Sequence, residues 1–250
     1  MAPDRIPRVL SIAGSDSGGG AGIQADLKAF ARCRVHGMTA ITAITAQNTL
    51  AVTAVYPLPP EVIVEQVRAV ADDIGVDAVK IGMLGTVETI EAVGTALDLI
   101  PDAPVVLDPV MVAESGARLL DENAQEALTT LLVPRAAVVT PNVPEARALA
   151  GGSPADDGAQ LARAVHALGP AAVVVTGGGI VREGVDAGLG KTTNTISRGS
   201  SFSGTRVRSP CATKLASSMA PVSGRHSSAS RLATRKRISR SCRSSVRFAT

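Results

Sequence analysis

Short, almost wholly apolar runs alternate with stretches of helical period along the first 176 residues, and this alternation restricts the fold more than any other feature. The runs at 9–13, 39–46, 78–81, 105–108, 137–140 and 171–176 are rich in Val, Ile and Ala and are bounded by turn residues, as buried strands are. A further β-like run at 51–56 closes on Pro57. Helices are predicted at 22–33, along the apolar stripe of Ile63, Val67, Val70 and Ile74, and at 87–100, 123–132, 142–150 and 157–168. Strands that are apolar on both sides, each followed by a helix, predict an α/β fold. Its sheet is mainly parallel and carries helices on both faces.

The alternation stops near Thr176. Residues 191–250 hold 15 Ser and 13 Lys or Arg but no Asp or Glu, which leaves residues 1–190 with 12 basic and 22 acidic side chains. The expected organisation is a folded domain over 1–178 and a basic, Ser- and Arg-rich tail over 179–250, disordered by its composition. Such a charge split also suits a tail that binds anions or nucleic acid. One Tyr, three Phe and no Trp argue against nucleic acid, because base-stacking modules need aromatic platforms. No run reaches 18 apolar residues and no signal-peptide core opens the chain, so neither a membrane span nor secretion is expected. Cys33, Cys211 and Cys242 have no metal-ligand spacing and suit no disulfide framework. A cytoplasmic location is the resulting expectation.

The polar residues gather where strands end. Ala13-Gly-Ser-Asp-Ser-Gly-Gly-Gly-Ala-Gly-Ile-Gln-Ala-Asp26 joins a strand to a helix, and its glycines predict close backbone approach to a ligand and free N–H groups at the helix start. It has neither the dinucleotide spacing nor the lysine of a P-loop. Gly188-Leu-Gly-Lys-Thr192 resembles the end of a P-loop, but Val185 stands where its first glycine belongs. Asp26, one turn into the helix, suits a substrate hydroxyl or ring amine, although an isolated helix Asp is more often just solvated. Gln47, in Thr45-Ala-Gln-Asn-Thr49, offers a donor and an acceptor side by side, as a pyrimidine edge requires, although a turn would favour the same residues. Met83 and Val110 could wall an aromatic ring or simply pack the core. Asp108, at a strand end, suits Mg²⁺ as an oxygen ligand. Asn142 and Glu145 have the spacing of a helix capping box, which competes with a place beside phosphate and metal.

Taken together and in order, these motifs carry a resemblance. With Lys80-Ile-Gly-Met-Leu84, Leu107-Asp-Pro-Val-Met111, Thr140-Pro-Asn-Val-Pro-Glu-Ala146 and Val175-Thr-Gly-Gly178, residues 8–178 resemble the bacterial hydroxymethylpyrimidine/phosphomethylpyrimidine kinases. The resemblance implies a ribokinase-like three-layer α/β sandwich whose C-terminal portion is missing or disordered here. It implies ATP-dependent, Mg²⁺-assisted phosphorylation of 4-amino-5-hydroxymethyl-2-methylpyrimidine and then of its monophosphate, for thiamine biosynthesis. By matching position, Gly14, Asp26 and Gln47 would contact the pyrimidine, and Met83 and Val110 would pack on its ring. Asp108 and Asn142 would lie on the nucleotide and phosphate side, with Asp108 and Glu145 as metal ligands. A homodimer follows from the same precedent. Pyridoxal or pyridoxine kinase is the neighbouring reading, and a non-catalytic remnant is another.

The family's Gly-Thr/Ser-Gly-Cys loop, which supplies an anion hole and a proposed base, is absent from the sequence, and Ser-Pro-Cys211-Ala-Thr does not replace it. The family commonly has His-Gly-Ser-Gly there. One coding of it, CAT GGC TCC GGT, read one base later gives Met-Ala-Pro-Val, and Met219-Ala-Pro-Val222 stands where the loop is due. A change of reading frame between Gly177 and about Gly204 is therefore expected.

Overall fold

The computed structural model describes residues 5–113, 116, 118–153 and 157–176, and the backbone of 195–198. The P-loop-like segment 188–192, Cys211, residues 219–222, Cys242 and, apart from 195–198, the rest of the proposed tail lie outside the described residues. The apolar runs become β1 (Arg8–Asp16), β2 (His36–Gln47), β3 (Val52–Pro57), β4 (Ala78–Ile81), β5 (Val105–Leu107), β6 (Val138–Val139) and β7 (Ala172–Val175). An eighth strand, β8 (Thr195–Arg198), lies on residues that show no strand period in the sequence. The sheet order is β3-β2-β1-β4-β5-β6-β7-β8. The six inner strands run parallel; β3 and β8 close the two edges antiparallel.

The intervening helices are α1 (Gly22–Arg32), α2 (Pro60–Asp73), α3 (Val87–Leu97), α4 (Ala124–Ala127), α5 (Val143–Ala150) and α6 (Gly158–His166). The helix expected over 123–132 is only partly α. After α4 the chain widens into a π-type turn, Leu128–Leu132, and tightens into a 3₁₀ turn, Val133–Arg135. Pro134 accounts for this, because its ring clashes with the carbonyl one turn back and it has no N–H to donate.

One continuous core joins Leu10, Ile12, Val79, Ile81, Leu107, Val139 and Val173 of the sheet to Ile63 and Val67 of α2, Ile90 and Val93 of α3, Leu128, Ala146 of α5 and Leu161 of α6. These helices therefore share one face. The chain moves one way from β1 to β2 and the other way from β4 onward, so right-handed crossovers put α1 on the opposite face. There α1 buries Ile23 and Phe30. Both faces carry helices, as the alternation predicts.

Where β2 runs past β3 its outer edge would be left unpaired. Gln66 of α2 fills that place: Ile41 N–H donates to its Oε1 at 2.9 Å, and its Nε2 donates to Ile41 C=O at 3.1 Å. At the opposite end of the strands, Asp77 accepts from Arg5 and from both the backbone and the guanidinium of Arg8, tying β1 to the approach of β4.

Candidate active site

The order of the strands reverses between β1 and β4, and in open α/β sheets the crevice at the carboxyl ends beside such a switch point is where ligands bind. Gly14 lies near the end of β1, Gln47 ends β2, Met83 follows β4, Asp108 and Val110 follow β5, and Asn142 follows β6. The eight residues chosen from the sequence thus come from one edge of the sheet and the two helices, α1 and α5, that start there.

In the glycine-rich loop before α1, one carboxylate takes up the N–H groups, whereas the start of α1 has no side-chain cap. Asp16 carboxylate oxygens accept from Gly18 at 2.7 Å, Gly20 at 2.9 Å and Ala21 at 2.8 Å, while Asp16 C=O accepts from Gly19 at 3.0 Å. A short acidic side chain that reaches its own backbone two to five residues on outcompetes an external anion for these donors. Asp16 was missed as a site residue; the Asp-Ser-Gly-Gly-Gly order is the signal that marks it. Gly22 opens α1 with φ near +57°, and a Cβ there would run into the Gly14 carbonyl. That close approach is what the helix-start glycine is for.

Gly14 and Met83 meet. A Cβ on Gly14 would lie 2.6 Å from the Met83 methyl, so a larger residue there would oblige the thioether to move. Thr42 Oγ1 donates to Met83 C=O at 2.8 Å and pins the loop after β4. Gln47 is half-buried; its Oε1 accepts from Thr45 Oγ1 at 3.2 Å, and its amide nitrogen donates to nothing among the described residues.

Asp26 is not a solvated surface carboxylate. It shares the buried stripe of α1 with Ile23 and Phe30, and its side chain is only 13% exposed. Its Oδ2 accepts from Ser11 Oγ at 2.6 Å and Lys80 Nζ at 3.0 Å. Ser11 and Lys80 are register neighbours on β1 and β4, on the face that α1 covers. Sequence reasoning left both without a role, although a lysine inside an apolar strand demands a buried anion.

The Asp108 carboxylate receives no hydrogen bond from any described residue. Its pKa is pushed up, chiefly by burial; Lys80 opposes the shift and Asp26 adds to it. Val110 is half-buried beside it, with its N–H on the Asp108 carbonyl at 2.9 Å. Asn142 and Glu145 form a complete capping box at the start of α5: Glu145 N–H donates to Asn142 Oδ1 at 2.8 Å, and Asn142 N–H to Glu145 Oε2 at 2.9 Å. Met111 N–H approaches Glu145 Oε1 at 3.5 Å. Burial raises the Glu145 pKa, the Asn142 N–H lowers it, and the nearby Asp108 raises it again. The two carboxylates repel each other, and a cation between them would relieve that repulsion.

An open, mainly parallel α/β sheet in this strand order, with helices on both faces, is the architecture of the ribokinase-like small-molecule kinases. Residues 16–211 match the phosphomethylpyrimidine kinase family, past the 8–178 span that the motifs carry. The chain belongs to that family. It is 50% identical over 175 residues to the hydroxymethylpyrimidine/phosphomethylpyrimidine kinase of Haemophilus influenzae, covering 69% of this chain and 65% of the relative. The chain therefore spans just under two thirds of that relative's length. Among solved structures, a phosphomethylpyrimidine kinase from Clostridium difficile superimposes with a TM-score of 0.66 at 42% identity, over 77% of this chain and 84% of the other. An ADP complex of Bacillus subtilis pyridoxal kinase gives 0.64 at 38% identity, covering 76% of each chain.

Proposed function

We propose that this chain recognises 4-amino-5-hydroxymethyl-2-methylpyrimidine and its monophosphate at the β1/β4 switch point, for phosphorylation by ATP on the route to thiamine. The reading rests above all on Asp26, a largely buried carboxylate held at one oxygen by Ser11 and Lys80. Gly14 and Gln47 would meet the ring's polar edge, and Met83 and Val110 its faces. Asp108 and Asn142 would face the phosphates.

The carboxylates fit Mg²⁺. Among the described residues no three His, Cys, Asp or Glu side chains converge as a metal cage. Magnesium does not need one, since it keeps several waters and takes one or two carboxylates together with substrate phosphates. Asp108, with no competing donor, and Glu145, with its Oε1 only weakly engaged, would hold it. When bound, it would neutralise charge on the phosphoryl group in transfer. Transfer of this kind is mostly positioning and charge stabilisation, and this chain's residues supply the positioning.

The anion-hole loop is the part the sequence lacks. Backbone donors aimed at developing charge contribute a factor of about 10²–10³ each when removed singly. In this reading residues 1–178 are the kinase domain and 179–250 a basic tail, in a cytoplasmic homodimer, although the family match runs on to 211. The purified 250-residue chain should bind the pyrimidine more tightly than pyridoxal and show no ATP-dependent turnover. Calorimetric titration with both ligands and a coupled ADP assay test this. Tighter binding of pyridoxal reverses the substrate assignment. Turnover by the chain as it stands contradicts the need for the missing loop. No kinase-like ending in another frame of the last 60 codons removes the frame-change explanation.

A further inference from the structure

Ser11 and Lys80 take no part in the reading above, yet both spend their hydrogen bonds on the same atom. Ser11 Oγ at 2.6 Å and Lys80 Nζ at 3.0 Å converge on Asp26 Oδ2, while Oδ1 accepts nothing from the described residues. Three elements build this arrangement. Ser11 on β1 and Lys80 on β4 stand side by side in register, and α1 lays Asp26 over them. Lys80 Nζ lies close over the end of its own strand: a Cβ on Gly82 would be 2.9 Å from it and 3.1 Å from the Ala13 Cβ. Ser11 is fully buried, and the Lys80 and Asp26 side chains are 20% and 13% exposed.

We propose that Ser11 and Lys80 are positioning residues that clamp Asp26 by one oxygen and so leave Oδ1 as a single, fixed acceptor for an N–H or O–H of the substrate. A free carboxylate offers two equivalent oxygens and rotates. Two donors on one oxygen remove that freedom before the ligand arrives, so less entropy is lost on binding. Lys80 also compensates a charge that would be costly to bury alone. The clamp selects a ligand that presents a donor, such as an amino-substituted heterocycle, over one that presents only acceptors.

The inference rests on Asp26 facing the substrate, so its test separates the two ideas. Binding of 4-amino-5-hydroxymethyl-2-methylpyrimidine to the full chain is measured by calorimetry for the wild type, Lys80→Met, Asp26→Asn and the double variant, with thermal melting as a check on folding. A hydrogen bond to a charged group supports an expected loss of about ten- to a hundredfold for Lys80→Met. In the Asp26→Asn background the same change should cost nothing further, and Lys80→Arg should restore part of the loss. Lys80→Met binding like the wild type, or two losses that simply multiply, overturns the clamp. Should Lys80→Met fail to fold, Ser11→Ala carries the same cycle with a loss expected at about threefold or more. If the wild type itself binds no pyrimidine, the proposed function falls and the clamp with it.

Discussion

Two carboxylates in this molecule have opposite relations to stability. Asp26 is compensated by Lys80 and Ser11; the half-buried Asp108 carboxylate has no hydrogen-bond donor among the described residues, and its pKa is raised chiefly by desolvation. A raised carboxylate pKa means that the charge opposes folding once the pH exceeds the ordinary value. Asp108→Asn should therefore stabilise the ligand-free protein at neutral pH, by about 2–4 °C in melting temperature if roughly 1 kcal/mol of the burial cost is removed. The gain should shrink as the pH falls through the raised pKa, because the wild type then sheds the charge itself. Affinity for Mg²⁺-nucleotide should fall in the same variant, as expected where a site retains a destabilising group for binding. Differential scanning fluorimetry across pH, with and without Mg²⁺-ATP, checks both. At this scale the sequence was only partly legible. Asp26 and Asp108 stood out by position, but the partners that give them different characters, Ser11 and Lys80 against nothing, depend on register between strands 69 residues apart in Ser11 and Lys80. Asp16 was hidden because its partners are backbone N–H groups of its own loop and not side chains.

Elements were the most legible scale. The strands β1, β2, β4 and β5 fall where continuous apolar runs demand burial on both faces, and α2 falls on the stripe of Ile63 and Val67. Two departures have local causes. Pro134 breaks the helix expected to reach 132 into π and 3₁₀ turns, and β8 takes its strand form by pairing with β7 with no period in its own sequence to announce it. Gln66 shows an element held from outside: it replaces the partner strand that β3 does not provide opposite Ile41. Gln66→Leu should leave both backbone groups of Ile41 without a partner and destabilise the protein by about 1–3 kcal/mol, read as a lower urea midpoint with an unchanged slope.

Across the whole molecule, the amino-terminal end of the sheet carries an ion-pair cluster, and the carboxyl-terminal end carries the proposed binding site. At the first, Arg8 and Arg5 hold the Asp77 carboxyl far below its usual range. A depressed pKa contributes stability above the ordinary carboxylate value and loses it as pH falls through the folded value. Asp77→Asn should therefore lower the melting temperature at pH 7, and the difference from wild type should narrow in acid. At the second end, Gly14 meets Met83, and Asp108 lies within electrostatic reach of both Asp26 and Glu145. The most direct measurement is a crystal structure of the 250-residue chain with 4-amino-5-hydroxymethyl-2-methylpyrimidine. The account predicts the ring beside Met83, with a ligand donor within hydrogen-bond distance of Asp26 Oδ1 and the Ser11 and Lys80 bonds to Oδ2 intact. A pyrimidine bound away from the β1/β4 switch point, or bound there without touching Asp26, would contradict it.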